Sequence, residues 1–344
     1  MRVEAALVAF LRRQHHRLDR IDPALALLGA MIDALVLGDG KRLRPAFAYW
    51  GYRGAGGKDR DEIVTALSTL ELLQASALIH DDVMDASDTR RGKPSVHRRF
   101  ETHHHEAGWD GDSAAFGEKA AILAGDLCLS WSDEMFHSAG VDPAALARAR
   151  DVFDEMRTEV MVGQYLDILA SVTGDTTIER ASKIATYKSA KYTVERPLLL
   201  GAALADASPE IIAGYSAYGL AIGEAFQLRD DILGVFGDPS ETGKPAGDDL
   251  REGKRTYLIA TAFALAGAAD AEVMRGDLGD LTLDDARVGQ FREIIDRCGA
   301  LTRTENRIAQ LTEEALGALA QLDLASGADA VLSELATASV RRRR

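Results

Sequence analysis

The sequence predicts an all-α fold, a single large helical bundle around an apolar interior. Three observations carry that expectation: only 8 of the 344 residues are proline, alanine is abundant, and apolar residues recur every three or four positions over most of the chain, which is the period of helices rather than strands. Helix starts are marked at Asp22-Pro23, Asp142-Pro143 and Ser208-Pro209, where a capping side chain precedes a proline at the first helical position. Over Asp59–Asp85, Ile63, Ala66, Leu67, Leu70, Leu73, Ala77 and Leu78 repeat with helical spacing, and similar patterns run over 113–139, 143–171, 176–205, 209–236, 254–267 and 283–320. Pro197 interrupts the 176–205 pattern and is expected to kink it. Two connections differ in character: 90–112 is basic and histidine-rich, and 237–253 is crowded with Gly, Pro, Asp and Lys. Long loops on a helical scaffold are where binding chemistry gathers. With no compositional break, 1–344 reads as one domain.

The charge balance, 40 Lys+Arg against 54 Asp+Glu for a net −14, excludes a global attraction to nucleic acid or an anionic membrane. Cys128 and Cys298 lack metal-type spacing and read as reduced thiols. No stretch approaches 18 apolar residues and the first eighteen contain no signal-like apolar run, so a cytoplasmic location without a membrane span is expected.

The strongest chemical signal is Asp81-Asp82-Val83-Met84-Asp85, at the end of an apolar helix. Positions four apart share a helix face, so Asp81 and Asp85 project together as oxygen ligands for a hard cation such as Mg²⁺. Asp230-Asp231 ends another apolar helix, but there the position four residues on is Gly234. Short basic clusters stand out in this acidic chain: Lys41, Arg42 and Arg44, then Arg90, Arg91 and Lys93, then Lys188, Lys244, and Lys254-Arg255. Arginine forks and lysine point charges beside carboxylate-held Mg²⁺ suit a diphosphate. An apolar bundle with such a mouth suits a substrate with a charged head and a hydrocarbon tail.

Taken in order, Gly40-Lys41-Arg42-Leu43-Arg44-Pro45, His80 through Asp85, Arg90-Arg91-Gly92, Gly163-Gln164-Tyr165-Leu166-Asp167, Tyr187-Lys188-Ser189, Phe226 through Asp231, and Lys244 with Lys254 resemble the trans-isoprenyl diphosphate synthases (polyprenyl synthetases), most of all the bacterial geranylgeranyl type. The resemblance implies the isoprenoid synthase fold, a homodimer, and Mg²⁺ bound between the two aspartate regions. It places metal on Asp81, Asp85 and Asp230, with Asp82 and Asp231 in support. Isopentenyl diphosphate falls to Lys41, Arg44, Gln74 and Arg91. The allylic diphosphate falls to Arg90, Lys188, Ser189, Gln227, Lys244 and Lys254. An aspartate often stands in the family where this chain has Gly234, which puts in question how tightly that side holds metal. The resemblance also implies that the departing diphosphate takes the proton, in keeping with the lack of a Ser/His/Asp or Cys/His arrangement.

The prenyl tail is expected to run from Asp81 toward the start of its helix. Ser76 and Ala77, about 5.4 Å deeper, are small and leave room, and Leu72 and Leu73, two turns down, stand as the stop, so that geranylgeranyl diphosphate, C20, is the expected main product, with a farnesyl or longer polyprenyl diphosphate as the alternative. Tight helix packing is the other reading of Ser76 and Ala77. His103-His104-His105 reads as an exposed loop tract, Arg341–Arg344 as a solvated tail, and His80 as either orienting Asp81 or packing beside it. A class I terpene cyclase needs no second diphosphate pocket, so Lys41, Arg44 and Arg91 argue against it. Retention of all five aspartates argues against a noncatalytic partner subunit.

Overall fold

The computed structural model describes residues 2–238 and 247–340, nearly all of them in helices. They divide into two compact units, Met1–Tyr49 with Lys58–Leu146, and Trp50–Gly57 with Ala147–Arg344. Lys244 and the Arg341–Arg344 run lie outside the described residues.

The first unit contains α1 (Arg2–Ile21), α2 (Ala26–Val36), the start of α3 (Leu43–Gly54), α4 (Asp61–Met84), a hairpin of β1 (Thr89–Arg90) and β2 (Lys93–Pro94), α5 (Val96–Glu106) and α6 (Ser113–His137). Its core joins Leu7, Phe10 and Leu11 of α1 with Ile32 of α2, Leu72, Ala75 and Ile79 of α4, and Ala121, Ala124 and Cys128 of α6. Burial pushes the Cys128 thiol up to about 12, so it stays protonated and inert at neutral pH. Helix α4 packs against both α1 and α6, and is therefore apolar on more than one face. Helix α4 has an 18-residue window of mean hydropathy 1.4, and 72% of that window is buried inside the protein. It is a core helix.

The 90–112 segment, expected to be a loop, contains the hairpin and α5. Thr89 pairs with Pro94 and Arg90 with Lys93 across the two-residue turn Arg91-Gly92, whose φ values of 54° and 70° are both left-handed, as a tight hairpin of the right twist requires. The histidine tract forms the last turn of α5, and His104 is buried, its ring against Trp109 and Phe116 and its Nε2 3.1 Å from the Asp110 carbonyl oxygen. Packing, not an exposed loop, explains His104.

The second unit holds most of α7 (Pro143–Thr173), α8 (Ile178–Ile184), a π-helical run (Ala185–Glu195), α9 (Arg196–Leu204), α10 (Pro209–Phe236), α11 (Asp248–Arg251), α12 (Tyr257–Leu265), α13 (Ala268–Asp277), α14 (Asp285–Arg297), α15 (Ala300–Leu319) and α16 (Ala328–Val340). Helix α10 packs on the π-helical run and on α15, burying Tyr215, Tyr218, Ile222 and Leu228. Each marked start is capped: Asp22 accepts from the Ala24 N–H, Asp142 from Ala144 and Ala145, and Ser208 from Ile211. Two expected elements differ. The 283–320 pattern is two helices, because Gly299 at φ 83° breaks the run. Pro197 sits in the first turn of α9, so its missing N–H falls where π-helical bonding gives way to α-helical bonding and not at a kink within one helix.

Candidate active site

In the first unit, α4 delivers Asp81 and Asp82 in its last turn and Asp85 at its C-cap, whose N–H donates to the Asp81 carbonyl at 2.8 Å. The carboxylates differ in setting. Asp82 is 1% exposed, and β1 carries Arg90 back onto it, Nε donating to Asp82 Oδ1 at 2.8 Å and Nη2 reaching both Asp82 and, at 3.2 Å, Asp81 Oδ2. A carboxylate so deeply buried needs such a partner. Asp81 and Asp85 are half-buried at the open end of the helix. Arg90, expected on the allylic diphosphate, is thus engaged by the aspartate motif itself. His80 turns to α6, its Nε2 3.0 Å from the Ile122 carbonyl oxygen, which favours packing over a role in orienting Asp81.

The loop before α3 is tied down by Arg42. Its φ is 50°, and its guanidinium pairs with the buried Glu71 of α4 and donates to the carbonyls of Val36 and Gly38 at 2.7 and 3.1 Å. This anchor leaves Lys41 exposed and Arg44 half-buried on either side of it. Burial pushes the Arg91 guanidinium below its ordinary pKa, Glu71 opposing the shift and Arg42, Arg90 and Arg44 adding to it. Arg44 and Arg91 therefore share one electrostatic neighbourhood. Gln74, one turn beyond Glu71, buries an Oε1 that has no hydrogen-bond partner among the described residues.

In the second unit, Gly163 of α7 lies against the backbone of Tyr187 and Lys188, where any side chain would collide. That approach sets Lys188 Nζ 2.6 Å from Asp167 Oδ2, with Ser189 beside it in the π-helical run, a wide turn typical of functional sites. On α10, Asp231 is 3% exposed and accepts from Gln227 Nε2 at 2.7 Å and the Tyr257 N–H at 3.2 Å, so Gln227, expected on the allylic diphosphate, is engaged inside the motif. Asp230 is half-buried. The gap at Gly234 is filled: a side chain there would run into the carboxylate of Asp249, on α11. Lys254 lies with Nζ 2.5 Å from Glu252 and 3.9 Å from Asp249.

Desolvation, with Asp249 and Asp230 nearby and against the two hydrogen bonds, pushes the Asp231 carboxyl up to about 8 from 3.8. The shift is upward, so the stability tied to this group is complete below the unfolded value and is lost as pH rises through about 8. Metal-free protein should lose thermal stability across that interval, and Asp231→Asn should flatten the profile. Equal slopes for the two proteins would contradict the buried, protonated carboxyl.

Among the described residues no three His, Cys, Asp or Glu side chains cluster closely enough to hold an ion by themselves. The donors offered are carboxylate oxygens, which suit a hard cation that takes its remaining ligands from water and phosphate, as Mg²⁺ does. Asp249, Glu71 and Tyr257 escaped the sequence reading. Asp249 sits in a Gly-rich stretch without periodicity, and only its contact with Gly234 singles it out.

Aspartate-ended helices with arginine- and lysine-bearing segments around them, in an all-α chain, define the isoprenoid synthase class. The chain belongs to the polyprenyl synthetase family, whose model matches residues 25–295, and is a trans-prenyltransferase of the short-chain type. It is 42% identical to a geranylgeranyl pyrophosphate synthase from Corynebacterium glutamicum, solved with isoprenyl diphosphate and magnesium, with a TM-score of 0.96 over 99% of this chain and 98% of that one. It is 31% identical to the geranylgeranyl diphosphate synthase of Methanosarcina mazei over 81% of this chain and 79% of that protein, and 29% identical to the octaprenyl diphosphate synthase of Escherichia coli over 88% and 86%.

Proposed function

We propose that the protein condenses isopentenyl diphosphate head-to-tail with an allylic diphosphate and that its main product is geranylgeranyl diphosphate, C20. The observation that carries the chain length is the line Asp81, Ala77, Leu73 on α4. Ala77 is half-buried and small one turn below the aspartate, and Leu73 is 2% exposed a turn deeper. Leu72 belongs to the α1–α2–α6 core, so Leu73 is the better stop.

Asp81 and Asp85, and Asp230 supported by Asp249, are the residues that would hold Mg²⁺. When bound, the metal supplies positive charge that stabilises the departing diphosphate. Asp82 and Asp231 hold the motifs in place from within. Lys41, Arg44, Gln74 and Arg91 bind isopentenyl diphosphate, while Lys188, Ser189, Lys254 and Lys244 bind the allylic diphosphate, with Arg90 and Gln227 acting through the aspartates they hold. No side-chain base is assigned, and the released diphosphate accepts the proton.

The family match runs through both compact units, which supports reading 1–344 as one synthase domain. A homodimer is supported by α7, where Met161, Tyr165, Ile168 and Val172 form an exposed stripe at helical spacing. We place the protein in the cytoplasm. The test is to incubate purified protein with isopentenyl diphosphate, Mg²⁺ and, separately, the C5, C10 and C15 allylic diphosphates, and to measure its mass in solution. A dimer making C20 is expected. A dominant C15 product, or C25 and longer, would refute the chain-length assignment, a monomer would refute the dimer, and a cyclic hydrocarbon from geranylgeranyl diphosphate alone would replace the synthase by a cyclase.

A further inference from the structure

The hairpin of the first unit borders a cleft with a surplus of positive charge. Arg91 and Lys93 line it from the turn, Ser95 and Arg99 from the start of α5, and Leu35 and Asp39 from the end of α2, with the Arg90–Asp82 pair along one side. The cations differ in how they are occupied. Arg90 is neutralised by Asp82 and Asp81, and Arg98, just outside the cleft, by Asp88 and Glu101. Lys93 and Arg99 make no ion pair among the described residues. The acids that line the cleft are Asp39 and Asp82, the latter taken up by Arg90, and Glu71 adds its charge beside Arg91.

The floor adds donors. Ser95 is the N-cap of the 11-residue α5 but makes no side-chain cap bond, its Oγ lying 3.2 Å from His97 Nδ1 instead. Ser95 therefore leaves the first N–H groups of α5 without its side chain as acceptor, at the positive end of the helix dipole. Lys41, Arg44 and Gln74, the other residues assigned to isopentenyl diphosphate, do not line this cleft. It is a separate place that shares only Arg91 with them.

We propose that this cleft binds a phosphate-type oxyanion, either free inorganic phosphate or inorganic diphosphate of the kind that condensation releases. Lys93 and Arg99, without an ion pair among the described residues, line it with Arg91, Asp39 is the lining acid not already held by Arg90, and guanidinium forks match tetrahedral oxyanions. On the synthase reading above, an anion held here shares Arg91 with isopentenyl diphosphate and raises the KM for that substrate without lowering kcat.

Calorimetric titration of the metal-free full chain with inorganic phosphate and, separately, inorganic diphosphate tests the site without any substrate, so its outcome is independent of the proposed reaction. Lys93→Gln/Arg99→Gln should weaken binding at least about tenfold, the size of one lost charge-assisted contact, while Lys41→Gln/Arg44→Gln should retain a wild-type-strength event. Tighter binding of diphosphate would identify the reaction's by-product as the occupant, and tighter binding of phosphate the free ion. Wild-type affinity in Lys93→Gln/Arg99→Gln would overturn the site, as would loss of all binding in Lys41→Gln/Arg44→Gln. Lys93→Arg/Arg99→Lys, which keeps both charges, should restore binding, and a failure to do so with unchanged circular dichroism would also count against it.

Discussion

Asp81→Ala should lower condensation by about three orders of magnitude, as expected when a group stabilising transition-state charge is removed, with the fold intact. Asp81 is half-buried at the C-terminal end of α4, and its loss removes a negative charge from the negative end of a helix dipole, so thermal stability should hold or rise slightly. Arg90 keeps its main partner, because Nε and Nη2 both reach Asp82. The same change at Asp82 would confuse chemistry with folding, since it strands a partly buried guanidinium at a cost of about 3–5 kcal/mol. Steady-state turnover and a melting curve on the Asp81 variant check the prediction together. Undiminished turnover in a folded variant would remove Asp81 from the metal site.

Ala77→Phe should shift the product from C20 to C15 or less. Phenylalanine one turn below Asp81, about 5.4 Å along α4, fills the space that the growing tail enters, and the half-buried position absorbs it at about 1–3 kcal/mol. Ser76 is the poorer probe. It is 4% exposed and lies one turn from Leu72, which is in the hydrophobic core, so Ser76→Phe overpacks the unit as well as any tunnel. Chromatography of the dephosphorylated products distinguishes the outcomes, and an unchanged C20 product in Ala77→Phe would place the tail elsewhere.

Much of the helical architecture was legible because burial leaves a period in the sequence. Capped prolines located starts, and the runs ending at Asp85 and Phe236 appear as α4 and α10. The misses share a cause, which is that local pattern does not report partners. Gly299 divides a stretch whose periodicity continues on both sides, and the histidine tract looked polar until Trp109 and Phe116 packed against His104.

By itself the sequence determined the helical class, the two aspartate motifs and the ordered basic residues, and with them the family, because these depend on residue type and spacing along one chain. Tertiary structure decided the division of labour among them. Asp82 and Asp231 turn inward to Arg90, Gln227 and the Tyr257 N–H, while Asp81, Asp85 and Asp230 remain half-buried. Asp249 occupies the space beside Gly234 from a helix that begins fourteen positions later. Which carboxylate must be paired and which can take a metal depends on desolvation and on neighbours remote in sequence, and those exist only once the helices have packed.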